Sequence, residues 1–339
     1  MTPGARVSAA IGVLDAWRAG QPAEQALTRW ARQSRFAGSK DRAAVRDHVF
    51  DVLRAAETAE TLGGGRDGRA LMLGLLRARG ENPVSVFTGE GHSPSPLSAA
   101  ETSFSASVDP DELWNLPGWL VPLFKQSLGE QAAVMARRLL DRAPVTVRVN
   151  QHKLSATEAM ARLAEQGIET EANGLCDGAL TVTAGARRLR NSSCYQKGEV
   201  ELQDASSQAV VSQLPEATRC LDYCAGGGGK SLALAAQAGR IVFAYDENPQ
   251  RMADIEPRAR RAGVEVQVLS RPEVADRAPF DLVLCDVPCS GSGAWRRSPD
   301  AKWAFTAERL EQLARVQQDI LDKAADLTHP EGTLVYATC

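Results

Sequence analysis

Residues 219–231 read RCLDYCAGGGGKS, a short apolar run that ends in an aspartate and continues into four consecutive glycines. Glycine has no Cβ, so this run lets the backbone approach a ligand closely and turn its amide N–H groups toward it. A glycine-rich turn between a strand and a helix serves dinucleotides, phosphates or other cofactors, and alone it does not select among them. A P-loop is excluded, because the first glycine of G-x-x-x-x-G-K-[ST] would fall at Cys224.

Short apolar runs around this turn alternate with helical patterns. Fully apolar strands separated by helices are typical of a parallel sheet covered on both faces. We therefore predict an α/β Rossmann-like domain whose ligands bind at the carboxyl ends of its strands. A helix is predicted at 308–327, and the predicted strands are 219–223, 240–245, 264–269, 280–285 and 333–337.

The chain before this domain divides into three parts. Residues 1–80 have apolar side chains at helical spacing and predict an all-α domain. Residues 81–110 are rich in Gly, Ser and Pro without periodicity, which predicts a linker. Residues 111–198 combine helical patterns with β-branched runs, so we predict a helical connector and a small α+β subdomain with a basic edge. The α/β domain then occupies 199–339.

The composition is that of an ordinary globular protein, with 44% hydrophobic and 24% charged residues among 339. No apolar run is long enough for a transmembrane helix, and the N-terminus has no signal-peptide pattern. Seven scattered cysteines, an odd number, favour a reduced, cytoplasmic setting. The net charge of −3 hides a basic segment, because residues 1–80 carry 13 Lys and Arg against 8 Asp and Glu. This asymmetry indicates a polyanionic partner.

A second acidic residue stands where a ribose is usually bound. Asp246 ends the second predicted strand, 24 residues after Asp222. A carboxylate there accepts hydrogen bonds from ribose hydroxyls. The alternative is an ordinary strand-end aspartate that caps a helix, but the glycine-rich turn upstream favours ligand binding. Both NAD and S-adenosylmethionine remain open at this point.

Two cysteines follow the last two predicted strands, within DVPCSGSG at 286–293 and YATC at 336–339. Neighbouring strands of a parallel sheet would bring Cys289 and Cys339 to the same edge. A thiolate that adds to C6 of cytosine makes C5 able to attack a methylsulfonium. An acid near N3 and a base for the C5 proton complete the reaction, so two cysteines and Asp286 meet its needs.

A cysteine at a strand end is more often a small buried hydrophobe than a nucleophile. We expect that simpler role for Cys220 and Cys285, which lie inside predicted strands. The loop around Cys289, which follows an aspartate and a proline, favours a functional role there. Cys339 taken alone does not distinguish between the two roles.

Several motifs of this chain occur together in one known family. They are DYCAGGGGK at 222–230, DVPCSGSG at 286–293, RRSPDAKW at 296–303 and YATC at 336–339, with QDASSQ at 203–208 and RVN at 148–150. In this combination the chain resembles the RsmB-like members of the Sun (NSUN) family of RNA cytosine-C5 methyltransferases. The resemblance covers 110–339, and residues 1–80, with FAGSKDR at 36–42, resemble the family's NusB-like domain.

The resemblance implies a fold for each part and a set of partners. It implies a Rossmann-like class I methyltransferase domain, preceded by a small α+β RNA-facing subdomain and an all-α NusB-like RNA-binding domain. The implied cofactor is S-adenosylmethionine, and the implied substrate is RNA, first ribosomal RNA and second transfer RNA. We expect a monomer without a metal site and without a membrane partner.

The resemblance also implies a role for each matched residue. Cys339 would be the nucleophile, Cys289 would assist release, and Asp286 would hold the cytosine edge close to the cofactor. Asp246 would bind the ribose, and Lys230 would also lie near the target nucleotide. The turn around the cofactor would be formed by Cys224, Ala225, Gly226, Gly227, Gly228, Gly229 and Lys230. The RNA entrance would be lined by Arg296, Arg297, Lys302 and Trp303.

The chain departs from the family pattern at three places. Gly227 stands where the family usually has proline. The acidic residue that usually follows the third strand is missing, and Glu273 is the nearest one. The sequence ends at Cys339, where family members continue, so we expect a truncated chain.

Two other classes of function remain open. The chain could be a non-catalytic RNA-binding assembly factor, which a truncated catalytic domain favours. A DNA cytosine methyltransferase also uses a Pro-Cys motif, in which that cysteine is the nucleophile. The second Thr-Cys motif and the basic helical segment argue against DNA.

Overall fold

The computed structural model describes residues 1–106, 108–109 and 112–338. The chain forms two compact units. The first unit consists of Met1–Ala143 and Gly291–Ala307, and the second of Pro144–Ser290 and Glu308–Cys339. Within the described ranges, no helix has both the length and the hydrophobicity to cross a membrane.

The secondary structure of the described residues is as follows. The helices are α1 (Pro3–Arg18), α2 (Ala23–Gln33), α3 (Ser39–Arg54), α4 (Ala56–Gly63), α5 (Gly68–Ala78), α6 (Ala99–Ser103), α7 (Leu120–Leu128), α8 (Ala132–Arg138), α9 (Ala156–Ala164), α10 (Ser193–Gln196), α11 (Ala205–Ser212), α12 (Gly229–Ala235), α13 (Ile255–Ala262), α14 (Arg271–Arg277), α15 (Pro299–Ala304) and α16 (Ala307–Leu327). The strands are β1 (Val145–Val149), β2 (Glu169–Ala172), β3 (Ala179–Ala184), β4 (Val200–Leu202), β5 (Arg219–Asp222), β6 (Ile241–Ala244), β7 (Gln267–Val268), β8 (Phe280–Asp286) and β9 (Thr328–Ala337).

The first unit is helical, as the periodicity of residues 1–80 predicts. Helices α1, α3 and α5 bury their apolar faces in one core that includes Leu14, Leu53 and Leu73, each fully buried. Helix starts carry side-chain caps, since Thr2 and Asp67 accept hydrogen bonds from N–H groups of the first turns of α1 and α5. The segment 291–307, with α15, belongs to this unit and not to the α/β domain predicted for 199–339.

The segment 81–110, predicted as a linker, is anchored to the helical unit where the structure describes it. Phe87 is only 1% exposed and belongs to the core of the helical unit. Helix α6 starts with a capping box between Ser98 and Glu101, and Glu101 is bound by Arg69 of α5 at 2.7 Å. One buried aromatic residue and a polar anchor hold this irregular segment, neither of which gives a periodic signal.

A small antiparallel sheet opens the second unit, with strand order β2-β3-β1-β4. Strands β1 and β3 lie within the part of the chain, 111–198, where β-branched runs predicted an α+β subdomain, and they pair antiparallel. Helix α9 begins at a capping box between Ser155 and Glu158 and packs Leu163 into the core of this sheet. The sequence did not indicate β2 or β4, of which β2 is a mostly exposed edge strand.

A five-stranded sheet with order β7-β6-β5-β8-β9 forms the rest of the unit, and all its strand pairs are parallel. The Rossmann-like fold predicted from the sequence is therefore confirmed. Successive residues point to opposite faces, so Cys220 packs in one core cluster and Leu221 in the other. Cys220 and Cys285 are fully buried, as expected for hydrophobes.

Candidate active site

Three aspartates mark the carboxyl edge of the large sheet. Asp222 ends β5, Asp246 follows β6 after one residue, and Asp286 ends β8. Strands β6, β5 and β8 are neighbours, so the three side chains come to the same edge. The parallel topology therefore brings these three aspartates, which come from separate parts of the chain, to one edge.

The glycine-rich turn links β5 to α12 and needs glycine at two positions. Gly226 and Gly228 have φ angles of 50° and 77°, in the left-handed region. A Cβ at Gly228 would also lie 2.7 Å from a side-chain carbon of Ile255 in α13, so any larger residue would force that side chain to move. Gly227, where the family usually has proline, is not in this region.

Asp222 is buried beneath the turn, with 1% of its surface exposed. One carboxylate oxygen accepts a hydrogen bond from the Ser231 hydroxyl at 2.6 Å. The other oxygen has no hydrogen-bond partner in the described part of the chain. Burial raises the pKa of Asp222 to about 6. Asp222 also lines the cavity described below.

Asp246 is also buried, but both of its oxygens are bound. It accepts hydrogen bonds from the N–H groups of Gly226 at 2.9 Å and Asn248 at 3.0 Å. The guanidinium of Arg251 lies 2.9 Å from the same carboxylate. Arg251 was not predicted, although its position five residues after a strand-end aspartate could have identified it.

A cavity of about 480 Å³ contains most of the predicted chemical groups. The Lys230 ammonium lies 2.6 Å from a carboxylate oxygen of Asp286, and both side chains line this cavity together with Cys289. Burial raises the pKa of the neighbouring Cys224 thiol to about 12, so this cysteine is a neutral wall residue at physiological pH.

A second cavity, of about 360 Å³, shares Cys224, Arg251 and Pro288 with the first. Asp246 lines this second cavity, as do Tyr223 and Tyr245, whose ring centroids are 5.1 Å apart. Asp246, the candidate for ribose binding, thus lines the second cavity together with two tyrosines. Lys230, Asp286 and Cys289, the candidates for the chemistry, line the first cavity.

Cys339, the predicted nucleophile, lies outside the described residues. The structure describes β9 as far as Ala337, which pairs with Asp286 across the two strands. The Val287 N–H also donates to the Ala337 carbonyl at 3.1 Å. The strands β8 and β9 are therefore neighbours, as the sequence predicted, and the position of Cys339 beside Cys289 stays a prediction.

The four predicted RNA-entrance residues belong to the first unit. The prediction is wrong for Lys302, which is only 1% exposed and donates to the carbonyls of Arg54 at 3.0 Å and Asn115 at 2.6 Å. Burial lowers the pKa of Lys302 to about 7. The Trp303 indole N–H donates to the Leu53 carbonyl at 2.6 Å, so this ring is also anchored in the helical unit.

The two arginines of the same motif differ from Lys302. Arg296 is partly exposed and donates to the carbonyls of Asp141 at 3.2 Å and Arg142 at 2.8 Å. Arg297 is exposed. Their proposed contact with RNA stays a prediction.

Comparison with protein families matches two parts of the chain. Residues 209–339 match the model described as 16S rRNA methyltransferase RsmB/F. Residues 116–187 match the ferredoxin-like domain of the same methyltransferases. Together the two matches span more than half of the sequence.

Curated relatives carry the same family name. The probable ribosomal RNA small subunit methyltransferase B of Bacillus subtilis is 34% identical over 234 residues, covering 66% of this chain and 52% of the relative. The ribosomal RNA small subunit methyltransferases B of Xylella fastidiosa and Vibrio cholerae are 34% and 32% identical, covering 68% and 66% of this chain and 55% and 53% of the relatives. The chain spans about half the length of the curated relatives it matches.

Solved structures share the fold. The crystal structure of PH0851 has a TM-score of 0.71 at 20% identity and covers all of this chain and 86% of its own. The crystal structure of NSun6 from Pyrococcus horikoshii with SFG has a TM-score of 0.57 at 18% identity, covering 66% of this chain and 83% of its own.

S-adenosylmethionine is the methyl donor of RsmB/F methyltransferases, which confirms the cofactor predicted from the sequence. The residues present fit this group. Asp222 offers an unpartnered buried oxygen, the glycine-rich turn leaves room for close approach, and Asp246 lines a cavity with two tyrosines. The motifs, the sheet topology and the two family matches agree, and the chain belongs to the RsmB/F family of methyltransferases.

Proposed function

We propose that this chain methylates C5 of a cytosine in small-subunit ribosomal RNA, with S-adenosylmethionine as the methyl donor. The names of the curated relatives support the RNA substrate and its ribosomal origin. The single observation that carries the proposal is the first cavity, where the Lys230–Asp286 pair and Cys289 share one wall with the cofactor turn. A cofactor cavity without these groups would not support cytosine chemistry.

The reaction begins with addition of the Cys339 thiolate to C6 of the cytosine, which forms an S–C6 bond and moves electron density to C5. S-adenosylmethionine supplies an electrophilic methyl group on its sulfonium. Asp286 holds the cytosine edge, and the Lys230 ammonium 2.6 Å away supplies the positive charge and the proton donor near N3. The electron-rich C5 would take this methyl group, forming a C–C bond as the sulfonium S–CH3 bond breaks and S-adenosylhomocysteine is left. Release then requires loss of the C5 proton to a base and breaking of the S–C6 bond, so that Cys339 departs as a thiolate with Cys289 assisting.

Methyl transfer from labelled S-adenosylmethionine to unmodified small-subunit ribosomal RNA tests this proposal. The expected product is 5-methylcytosine, identified by mass spectrometry of the nucleosides. Unmodified transfer RNA serves as the competing substrate. Methylation of transfer RNA alone would overturn the ribosomal assignment, and binding of both RNA and cofactor without turnover would instead identify a non-catalytic assembly factor.

The roles of the two cysteines are tested separately. Cys339→Ala should abolish turnover without a covalent product, whereas Cys289→Ala should leave RNA attached to the protein on a denaturing gel. A Cys289→Ala protein that runs free of RNA while its parent is active would contradict the release role. Activity retained in Cys339→Ala and lost in Cys289→Ala would reverse the two roles, as in DNA cytosine methyltransferases.

A further inference from the structure

Side chains from outside the glycine-rich turn bind two of its carbonyl groups. The Gly229 carbonyl accepts hydrogen bonds from the Gln203 amide at 3.1 Å and from the Arg148 guanidinium at 3.3 Å. The Gly227 carbonyl accepts one from the guanidinium of Arg258. The turn is therefore held on both sides of Gly228 by groups that do not belong to it.

Two of these groups come from the small antiparallel sheet. Arg148 lies in β1 and also donates to the side-chain oxygen of Gln203 at 2.8 Å. Gln203 follows β4, and its backbone carbonyl accepts a hydrogen bond from the Thr146 hydroxyl at 2.8 Å. Both contacts with Gly229 thus depend on the position of β1.

A buried glutamate connects the arginines. Glu201 of β4 is 8% exposed and pairs with Arg148 in the strand register. Its carboxylate lies 3.6 Å from Arg258 and 2.6 Å from Arg261, both in α13. Burial lowers the pKa of Arg148 to about 10, which leaves the guanidinium charged at neutral pH. A buried carboxylate surrounded by cations fixes their positions, because losing one partner leaves uncompensated charge.

Binding these carbonyls orients the amides of the turn. A trans peptide points its C=O and N–H in opposite directions, so fixing the Gly229 carbonyl turns the Lys230 N–H away from Arg148. Helix α12 begins at Gly229, so this N–H is one of the first-turn donors that have no partner within the helix. Gly229 and Lys230 both line the first cavity, so the orientation of the peptide between them affects any ligand bound there.

We propose that Arg148 is a positioning residue for the cofactor. With Glu201, Gln203 and Arg258 it forms a clamp that presets the glycine-rich turn, so that the small sheet contributes directly to the affinity for S-adenosylmethionine. This inference rests on the cofactor of the proposed function and adds residues outside the Rossmann-like sheet to its binding.

Calorimetric titration of the full chain with S-adenosylmethionine, without RNA, tests the proposal. For Arg148→Met we expect roughly 10-fold weaker binding, the loss of about one charge-assisted hydrogen bond. The lysine of Arg148→Lys reaches one acceptor in place of two, so the affinity of this variant for S-adenosylmethionine should lie between those of Arg148→Met and the wild type. Arg258→Met releases the Gly227 carbonyl from the other side and should weaken binding as well, which keeps the test decisive if one variant folds poorly. With RNA saturating, KM for the cofactor should rise while kcat changes little.

Arg162→Met is the matched control. Arg162 of α9 pairs with the buried Glu199 at 2.6 Å in the same subdomain and makes no contact with the turn. Unchanged affinity in folded Arg148→Met, or an equal loss in Arg162→Met, would overturn the clamp. A wild-type chain that does not bind S-adenosylmethionine would overturn the proposed function itself, so the two failures are distinguishable.

Discussion

Asp222→Asn should stabilise the protein while it weakens cofactor binding. The side chain is 1% exposed, and its burial raises the pKa from 3.8 to about 6. At about 1.4 kcal/mol per pKa unit, this difference corresponds to about 3 kcal/mol of stability lost when the carboxylate is ionised. In the wild type the Ser231 hydroxyl donates a hydrogen bond to Asp222 at 2.6 Å. The amide oxygen of the variant can still accept this hydrogen bond. We expect a gain of about 1–3 kcal/mol at pH 7.5.

The pH dependence distinguishes this explanation from a general packing effect. Above pH 6 the carboxylate is ionised in both the folded and the unfolded state, and the folded state carries the full cost. As the pH falls through 6 toward 4, the folded protein binds a proton before the unfolded chain does, so wild-type stability rises relative to the variant. The advantage of Asp222→Asn should therefore be largest at pH 7.5 and nearly absent at pH 4.

Urea unfolding at the two pH values measures the stability, and calorimetry at pH 7.5 measures the affinity for S-adenosylmethionine. Asp246→Asn is the control, because that buried carboxylate is fully bound by two N–H groups and Arg251. It should destabilise the protein by about 1–3 kcal/mol, the opposite sign. A loss of stability in Asp222→Asn at pH 7.5, or a gain that persists at pH 4, would refute the reasoning.

Two further predictions concern the helical unit. Burial lowers the pKa of Lys302 from 10.5 to about 7. Between pH 7 and 9, therefore, the unfolded chain still binds a proton that most of the folded chain has lost. Wild-type stability should therefore rise by about 2 kcal/mol relative to Lys302→Met over this interval, measured by urea unfolding, and parallel curves would contradict it. Phe87→Ala should cost about 3–4 kcal/mol in unfolding free energy, because the ring is 1% exposed in the core. Phe104→Ala, at 39% exposure, is its control, and equal small losses in both would mean that the segment is a linker after all.

The large sheet could be predicted because its strands are buried on both faces. Leu221, Phe243 and Val283 belong to apolar runs whose neighbours are also apolar, so they need no alternation to be recognised as strands. The edge strand β7 has only two residues in place of the six predicted, and its Val268 is 42% exposed. Strand β2 was missed because its sequence, Glu169–Ala172, is mostly polar. This segment is extended because it pairs with β3, a contact that its own sequence does not reveal. The extent of each of these two edge strands, β7 and β2, is determined by pairing with a neighbouring strand, which a local sequence pattern does not show.

The candidate site shows a similar difference. Contacts between two side chains can be anticipated from the residue types, whereas contacts with backbone groups cannot. Lys230 and Asp286 could be singled out because they stand in a glycine-rich turn and at a strand end, and the sequence displays both members of the ion pair that they form. Asp246 could be singled out by its position after a strand, although two of its three partners are backbone N–H groups. The acceptors of Lys302 and Arg148 include backbone carbonyls, which every residue carries. A cation bound to carbonyls leaves no complementary residue in the sequence, so Lys302 was assigned to an RNA entrance when it is buried in the helical unit. The same reason kept Arg148 out of the predicted cofactor site, where only the folded chain brings it to the carbonyl of Gly229.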